Sequence, residues 1–452
     1  MFRISKDEEL TLELLQEFLT EHKNEVADKY SKLKAAYESD HEILHYPKKA
    51  KHKPDNRIVV NFPKYIVDTM NGFFLGNPIK TIADEANVAE YVEYLNQYND
   101  QDDNNSELSK ICSIFGKGYE MYFTDEEAEL CITYTDPIES FMIFDDSILE
   151  RPLYFVRRYT DRKGDEFGSI SNSFGVRYFK ETGGLKWLDE DWQPHYFPGV
   201  PATEYVENAE KQGIFEPILT IVNAYNKAIS EKANDVDYFA DAYLKILGAL
   251  ANNEDLEFIR DNRIVNFADD LGENKNIVVE FMEKPSNDVG QENLLNRLEA
   301  LAFQISMVAN ISDENFGSAT GVALKYKLQA MSNLEKTKRR KFESGMKRRY
   351  KLLFGHPASK VSKDAWIQLN HQFTPNFPAN LLEEAQIAAQ MEGITSHETQ
   401  LRVLSVVDDI QGELDKIEEE NKMPEMSPVE QLMFGEHTEE NSATEEGLNN
   451  EQ

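Results

Sequence analysis

The sequence predicts an α+β fold that is mostly helical, and three observations carry that expectation. Apolar residues recur at spacings of three and four over the long segments 7–37, 217–249, 289–309 and 321–354. Alternating aromatic and β-branched runs occupy the stretch from Ile111 to about Gly199. At 452 residues the chain exceeds the size at which one hydrophobic core keeps growing, so at least two packed regions are expected.

The first helix is expected over residues 7–37, where Leu10, Leu14, Leu15, Phe18, Leu19, Val26, Tyr30 and Leu33 keep helical spacing. Pro47 and the basic loop Lys48 to Lys53 end that region. Asn56 to Lys80 then reads as a short strand, Ile58 to Phe62, feeding a helix that has Pro63 in its first turn. Ile66, Val67, Met70 and Phe74 form its apolar stripe, and Gly76-Asn77-Pro78 stops it. The following runs, among them Tyr119 to Phe123, Leu130 to Tyr134, Phe141 to Phe144 and Tyr154 to Tyr159, predict an antiparallel β-rich region punctuated by glycines.

Pro217 opens a predicted helix that runs to about Ala249, with Leu244 and Leu247 among its apolar positions. At 1.5 Å per residue it would be about 50 Å long, a strut rather than an ordinary globular helix. Short strands at Arg263 to Phe267 and Asn276 to Met282 follow, and helix returns from about Val289 to Ala309. A polar loop, Asn310 to Thr320, leads into a long helix over Gly321 to Phe354. Residues 336–351 of that helix hold nine Lys or Arg and one acid, Glu343. A strand-like Trp366 to Phe373 precedes helices at about 380–392 and 396–420, and the acidic residues 421–452 have no apolar period and are expected to be disordered.

Composition bounds the function. Hydrophobic residues at 40% and aromatics at 11% are enough for real cores. A net charge of -34 argues against gripping nucleic acid by neutralising its phosphates. From Glu413 onward, 13 acids stand against Lys416 and Lys422, a net of -11, which leaves -23 for the folded body. The N-terminus lacks the apolar core of a secretory signal, and apolar runs such as Leu244 to Ala251 fall far short of the roughly 20 residues of a membrane span. Cys112 and Cys131 form no metal-like cluster and are expected to be buried free thiols.

Motifs that resemble chemistry are weak. His41-Glu42-Ile43-Leu44-His45 matches the zinc pattern H-E-x-x-H, but Pro47 cuts the helix that would hold both imidazoles and no third ligand follows. Incidental histidines in a surface loop are the preferred reading, with a zinc hydrolase on His41, Glu42 and His45 as the alternative. Gly116-Lys117-Gly118 lacks a strand-loop-helix frame and no P-loop occurs, so any ATP hydrolysis belongs to a partner. Asp145 and Asp146, with Asp136 and Glu139, are read as turn chemistry rather than a cation site. The basic run is either a nucleic-acid patch or a surface paired with acids of an adjacent subunit. Its cations are spread around the helix rather than lined up, which favours pairing.

Four anchors give the chain a family resemblance. They are Asn56 to Lys80; Asn223-Ala-Tyr-Asn-Lys with Asn234-Asp and Phe239 to Leu244; Ile311 to Gly317 with Ser318 to Lys327; and Asn376 to Asn380 with Gly393 to Thr399. In this order they resemble the portal proteins of tailed phages of Gram-positive bacteria. The resemblance implies a ring-forming portal fold with a mixed α/β wing (1–215), stem helices at 216–249 and 288–309, and a small clip between them (250–287). It further implies a tunnel loop (310–320), a long helix returning to the wing (321–379), a helical crown (380–420) and the acidic tail (421–452).

By the same resemblance the chain is a head-tail connector of about twelve subunits around a channel for double-stranded DNA. It implies no catalytic residue, metal or cofactor. The tunnel loop would comprise Asn310, Ile311, Ser312, Asp313, Glu314, Asn315, Phe316, Gly317, Ser318, Ala319 and Thr320. The clip, with Glu254, Asp255, Glu257, Arg260, Arg263, Asp269, Asp270 and Glu273, would bind the large terminase subunit and later a head-tail adaptor. Scaffold and major capsid protein would meet the wing, no membrane is involved, and the place of work is the virion after assembly in the host cytoplasm. The acidic loop, with Asp313 and Glu314 and no cation, suits a wall along which DNA slides. The alternative of another class is an acidic helical scaffold or adaptor.

Overall fold

A computed structural model describes residues 2–50, 53–240, 244–247, 264–267, 278–281, 288–311, 326–376, 381–404, 406–407 and 410–421. The chain divides into two units, Met1–Asn376 and Phe377–Gln452.

In the first unit, β1 (Phe2–Ile4) precedes α1 (Leu12–Glu25), whose start is set by Thr11: its Oγ1 accepts from the Leu14 amide at 3.2 Å. Capping therefore places the helix start at 12 rather than 7. A π-helical turn, Val26–Tyr30, carries the chain into α2 (Ser31–Tyr37), and a 3-10 turn spans Glu42–His45. α3 (Phe62–Leu75) has Pro63 in its first turn as expected, and it starts at Phe62, the last residue of the expected strand, because Asn61 Oδ1 accepts from the Lys64 amide at 2.8 Å. Its stripe of Ile66, Val67, Met70 and Phe74 is at most 1% exposed. Each such side chain contributes about 1.5–3 kcal/mol by leaving water.

β2 (Lys80–Ile82), α4 (Ala86–Tyr98) and α5 (Gln101–Phe115) follow. The β-rich region thus begins at Lys117 rather than Ile111, because helix α5 runs to Phe115 and Gly116 ends it in the left-handed region, φ 84°. The strands are β3 (Lys117–Thr124), β4 (Leu130–Thr135), β5 (Ser140–Asp145), β6 (Pro152–Thr160), β7 (Glu166–Ser171), β8 (Gly175–Lys180), β9 (Lys186–Trp187), β10 (Gln193–Pro194) and β11 (Ala202–Val206). One sheet has the order β1-β5-β6-β7-β8-β10 with β9 on β8, and a second has the order β11-β3-β4. β1 joins parallel to β5, and Phe2, Ile4, Phe141, Ile143, Val156, Ile170 and Phe179 pack with Leu15, Phe18 and Leu19 of α1.

α6 (Leu219–Ala240) is followed by β12 (Leu244–Leu247), β13 (Ile264–Phe267) and β14 (Val278–Phe281), then by α7 (Asp288–Ser306) and α8 (Gln329–Phe354). The long helix predicted to Ala249 is corrected here: it ends at Ala240, and Leu244 and Leu247 lie in a strand. Their spacing of three fits a helix, yet Leu244 to Leu247 pairs along its length with both Ile264–Phe267 and Val278–Phe281. A 3-10 turn, Ala365–Gln368, and β15 (Asn370–Gln372), antiparallel to β2, replace the expected strand over 366–373. The second unit contains α9 (Leu381–Gln390), α10 (His397–Leu401), capped by Ser396, and α11 (Ile410–Asn421). The expected helix 396–420 is therefore two. Residues 422–452 lie outside the described residues.

No strand forms at Ile58 to Phe62. Phe62 already belongs to α3, and alternate amides of the chain ahead of it are taken by side chains of α6 instead of a neighbouring strand. The amides of Asn56, Ile58 and Val60 donate to Asn234 Oδ1, Ser230 Oγ and Asn226 Oδ1 at 2.7, 2.9 and 2.9 Å. The registers match because two residues of extended chain advance about 6.6 Å and four residues of helix advance about 6.0 Å. Replacing Ser230 by Ala leaves the Ile58 amide without its acceptor. Expected outcomes are a loss of about 1 kcal/mol in urea denaturation and faster hydrogen exchange at Ile58.

Two buried histidines, His22 and His371, should make the fold acid-sensitive. His22 lies 4.6 Å from the Phe141 ring, donates Nε2–H to Pro137 O at 2.8 Å and leaves a buried Nδ1 without a partner. His371 stacks on Tyr350 and has a buried, unpartnered Nε2. Burial lowers both from 6.5 to about 4. Between those values the unfolded chain binds protons that the folded chain refuses, so stability is lost as pH falls from about 6.5 toward 4. Denaturation midpoints measured across that window should fall with pH, and His22→Phe should flatten the slope.

Candidate functional site

α6 and α7 form an antiparallel pair. Asp235 Oδ2 accepts from Gln291 Nε2 at 3.1 Å, Lys232 pairs with Glu292, and Phe62 of α3 contacts Tyr225 and Phe303 edge-on at 4.9 and 5.7 Å. α6 has 22 residues and so spans about 33 Å. Beyond its C-terminus and before α7 lies a three-stranded mixed sheet of order β13-β12-β14, in which β12 is parallel to β13 and antiparallel to β14. Two of its strands were expected; β12 was not.

The polar loop begins at the other end of α7. Asn310 Nδ2 donates to Glu299 Oε1 at 3.1 Å, and the Ile311 amide donates to Tyr65 Oη at 2.9 Å, so the loop's start is tied to α7 and α3. Ile311 itself is half exposed. Ser312, Asp313, Glu314, Asn315, Phe316, Gly317, Ser318, Ala319 and Thr320 lie outside the described residues. So do the expected docking residues Glu254, Asp255, Glu257, Arg260, Arg263, Asp269, Asp270 and Glu273.

The basic run on α8 behaves differently from either sequence-based reading at two positions. Lys338 and Arg349 turn inward and pair within the chain. Arg349 is fully buried and grips Glu120 of β3 with two bonds, Nε to Oε2 at 2.8 Å and Nη2 to Oε1 at 2.6 Å. Its Nη2 also donates to Asn105 Oδ1 at 2.7 Å. Glu120 accepts further from Tyr122 Oη at 2.7 Å, Tyr205 Oη at 3.1 Å and Gln101 Nε2 at 3.4 Å. Burial pulls the guanidinium down, but the Glu120 carboxylate, Tyr205 and Tyr350 together outweigh it and hold Arg349 protonated.

Lys338, 1% exposed, pairs with Glu207 at 2.7 Å and donates to Ser113 Oγ at 2.5 Å and Ser109 O at 3.1 Å. Both cations lie on the stripe of Met331, Phe342 and Met346 that packs inward. At Gly345 the helix passes so close to β11 that a Cβ would stand 2.4 Å from the Tyr205 ring. Positions 338, 342, 345 and 349 advance by about one helical turn at a time, a signal available in the sequence.

The zinc-like motif does not form a ligand set. Both nitrogens of His41 are engaged, Nε2 with Ala36 O at 2.9 Å and Nδ1 with Asn226 Nδ2 at 2.7 Å. His45 is exposed and lies 2.6 Å from Asp40. Among the described residues no group of three His, Cys, Asp or Glu has the arrangement of a metal site, and no helix is long and apolar enough to cross a membrane. Asp136 and Asp145 accept from backbone amides of their own turns. Cys112 is buried and Cys131 half-buried, both free.

The family model described as phage portal protein, SPP1 Gp6-like, matches residues 16–425. The portal protein of Clostridium phage phiCD119 is 25% identical over 404 residues, covering 83% of this chain and 87% of the relative. The portal protein of Bacillus phage SPP1 is 25% identical over 408 residues, covering 83% and 78%. A solved chain from the neck of an empty GTA particle computed with C6 symmetry is 12% identical, with a TM-score of 0.44, and covers 75% of this chain and 89% of that one.

Truncating one member of the buried fork leaves the other charged, dry and unpaired. Arg349→Met should cost about 3–5 kcal/mol in urea denaturation. The double variant Arg349→Met, Glu120→Leu should recover part of that loss, whereas strictly additive costs would show that the two side chains are not coupled.

Proposed function

The chain belongs to the SPP1 Gp6-like phage portal protein family, and from that premise we propose that it forms the ring at one capsid vertex through which double-stranded DNA is packaged and later ejected. The match over residues 16–425 carries this reading, because it takes in the helix pair, the module between the helices and the loop that follows them. On this reading about twelve copies close head to tail, one face of each meeting a different face of the next.

Residues 1–215 form the outer wing. Helices α6 and α7 are the stem, and the clip comprises 250–287 together with β12. The tunnel loop 310–320 faces the DNA, 321–379 returns to the wing, 380–420 forms the crown and 421–452 the acidic tail. The large terminase subunit docks at the clip during filling, a head-tail adaptor takes its place afterwards, and scaffold and major capsid protein contact the wing. The protein works in the virion after assembling in the host cytoplasm. It supplies no catalytic group; hydrolysis of ATP belongs to the packaging motor. The net charge of -34 supports passage without binding, since each Lys or Arg contact with phosphate would add affinity and friction.

Negative-stain imaging of the purified chain should show rings with a central hole. Compact particles without a hole would overturn the proposal in favour of a monomeric scaffold or adaptor. For the loop itself, Asp313→Lys or Glu314→Lys should slow or stall DNA packaging in an in vitro packaging assay. Parental packaging kinetics in both variants would remove the loop from the channel wall.

A further inference from the structure

The chain leaves the stem for the polar loop 310–320 at the C-terminal end of α7, and its path there is tightly specified. α7 ends at Ser306, and the next residue, Met307, has φ 60°, in the left-handed region where a side chain is strained. Val308 is then buried, and its amide donates to Ser306 Oγ at 3.4 Å. A strained residue persists only where its surroundings over-determine it, and such places cluster at working parts of a molecule.

Two side chains hold the next positions. The Ile311 amide donates to Tyr65 Oη at 2.9 Å, and Asn310 Nδ2 donates to Glu299 Oε1 at 3.1 Å. Tyr65 comes from α3, and its ring stands edge-on to Phe303 of α7 at 5.6 Å. Phe62, on the same helix, meets the same Phe303 ring at 5.7 Å, so the Tyr65 hydroxyl is aimed by packing on either side of it. The Ile311 side chain is half exposed. A directional bond, rather than apolar burial of Ile311, therefore holds the root of the loop.

α3 is itself placed by the segment ahead of it, whose amides rest on Asn226, Ser230 and Asn234 of α6. A continuous line of contacts thus runs from the first stem helix, through the segment 56–60 and α3, to the residue at which the loop departs. We infer that Tyr65 and Glu299 are positioning residues for the tunnel loop: they fix the point and direction at which the chain leaves the stem, and thereby the loop's place in the channel. The inference rests on the channel reading given under the proposed function. A bond to an exposed amide, which water can replace, contributes little to overall stability. Its value is in geometry, which separates this role from a merely structural one.

The test uses full-length chains assembled into rings and capsids. Tyr65→Phe keeps the ring against Phe303 and removes only the acceptor. Glu299→Ala removes the second acceptor, and Glu299→Gln retains one at the same reach. Tyr65→Phe should assemble and unfold as the parent does, while the Ile311 amide, read by hydrogen exchange with fragmentation, exchanges about fivefold faster, as one lost hydrogen bond implies. In an in vitro packaging assay Tyr65→Phe and Glu299→Ala should lose packaging rate, and Glu299→Gln should keep the parental rate.

Faster exchange at Ile311 with parental packaging in both Tyr65→Phe and Glu299→Ala overturns the inference. So does unchanged exchange at Ile311, or a loss in Glu299→Gln equal to that in Glu299→Ala. A packaging loss matched by an equal loss of assembled rings assigns Tyr65 to the fold alone and overturns it as well. The channel reading fails separately, through parental packaging in both Asp313→Lys and Glu314→Lys. If those two variants slow packaging while the anchor variants do not, the inference falls and the channel reading stands.

Discussion

The position of α8 depends on two ion pairs that have been taken out of water. Arg349 can be buried only where Glu120 stands, and Lys338 only where Glu207 stands, because either cation left alone in the interior would cost several kcal/mol. The two anchors are eleven residues apart, three turns of the same helix face, so a slide or rotation of α8 breaks both together. The surrounding polar groups make the arrangement tolerable: the Glu120 carboxylate accepts from Arg349, Tyr122, Tyr205 and Gln101. Net stabilisation by such pairs is small beside what apolar residues could supply. What they supply here is register, since Gly345 must face Tyr205 for the helix to approach β11 at all.

The same economy of hydrogen bonding appears at two places in the chain. Asn226, Ser230 and Asn234 receive three backbone amides of the segment 56–60, and Asn99 does the like for β4, accepting from the Ile132 amide at 2.7 Å and donating to Leu130 O at 3.1 Å. Buried backbone groups must be paired, and a helix can offer only side chains to a neighbouring strand. A helix face carrying Asn and Ser every four residues is thus a strand partner in disguise. It ties the N-terminal segment to α6 with directional bonds, and through Asn226 to His41 the tie extends to the turn before it.

How much of this was legible in the sequence follows from which physical signal each part carries. α3 was legible because Pro63 and a clean apolar stripe point to one helix and one face, while its cap, Asn61, lay within the segment read as a strand. Most of the β-rich region and two strands of the small module were legible from alternation. The end of α6 was not, because Leu244 and Leu247 suit a helix as well as a strand and only the pairing with β13 and β14 decides. The segment 58–62 reads as a strand by composition, but strand geometry needs a backbone partner, and its partner is a helix. Glu120 and Glu207 carry no local signal at all. Their burial depends on residues more than 130 positions away, and a search for acids to match inward-facing cations at 338 and 349 would have been needed to find them.

The inward turn of those two cations also changes what the net charge means. Read along the sequence, residues 336–351 are the one place where this acidic chain could hold DNA. In the fold, Lys338 and Arg349 are neutralised by Glu207 and Glu120. Lys347 pairs with Glu343 at 2.7 Å, and Arg348 donates to the carbonyls of Val200 and Ala202. What remains exposed is a small set, Lys336, Arg340 and Lys351 with the paired Lys347, on one face of α8. Affinity for nucleic acid grows with the number of phosphates neutralised, so a helix that spends its cations on its own sheet and loops contributes little of it. The basic run and the acidic composition are therefore not in conflict: the first is largely an internal structural device, and the second sets the character of the surface that DNA would meet.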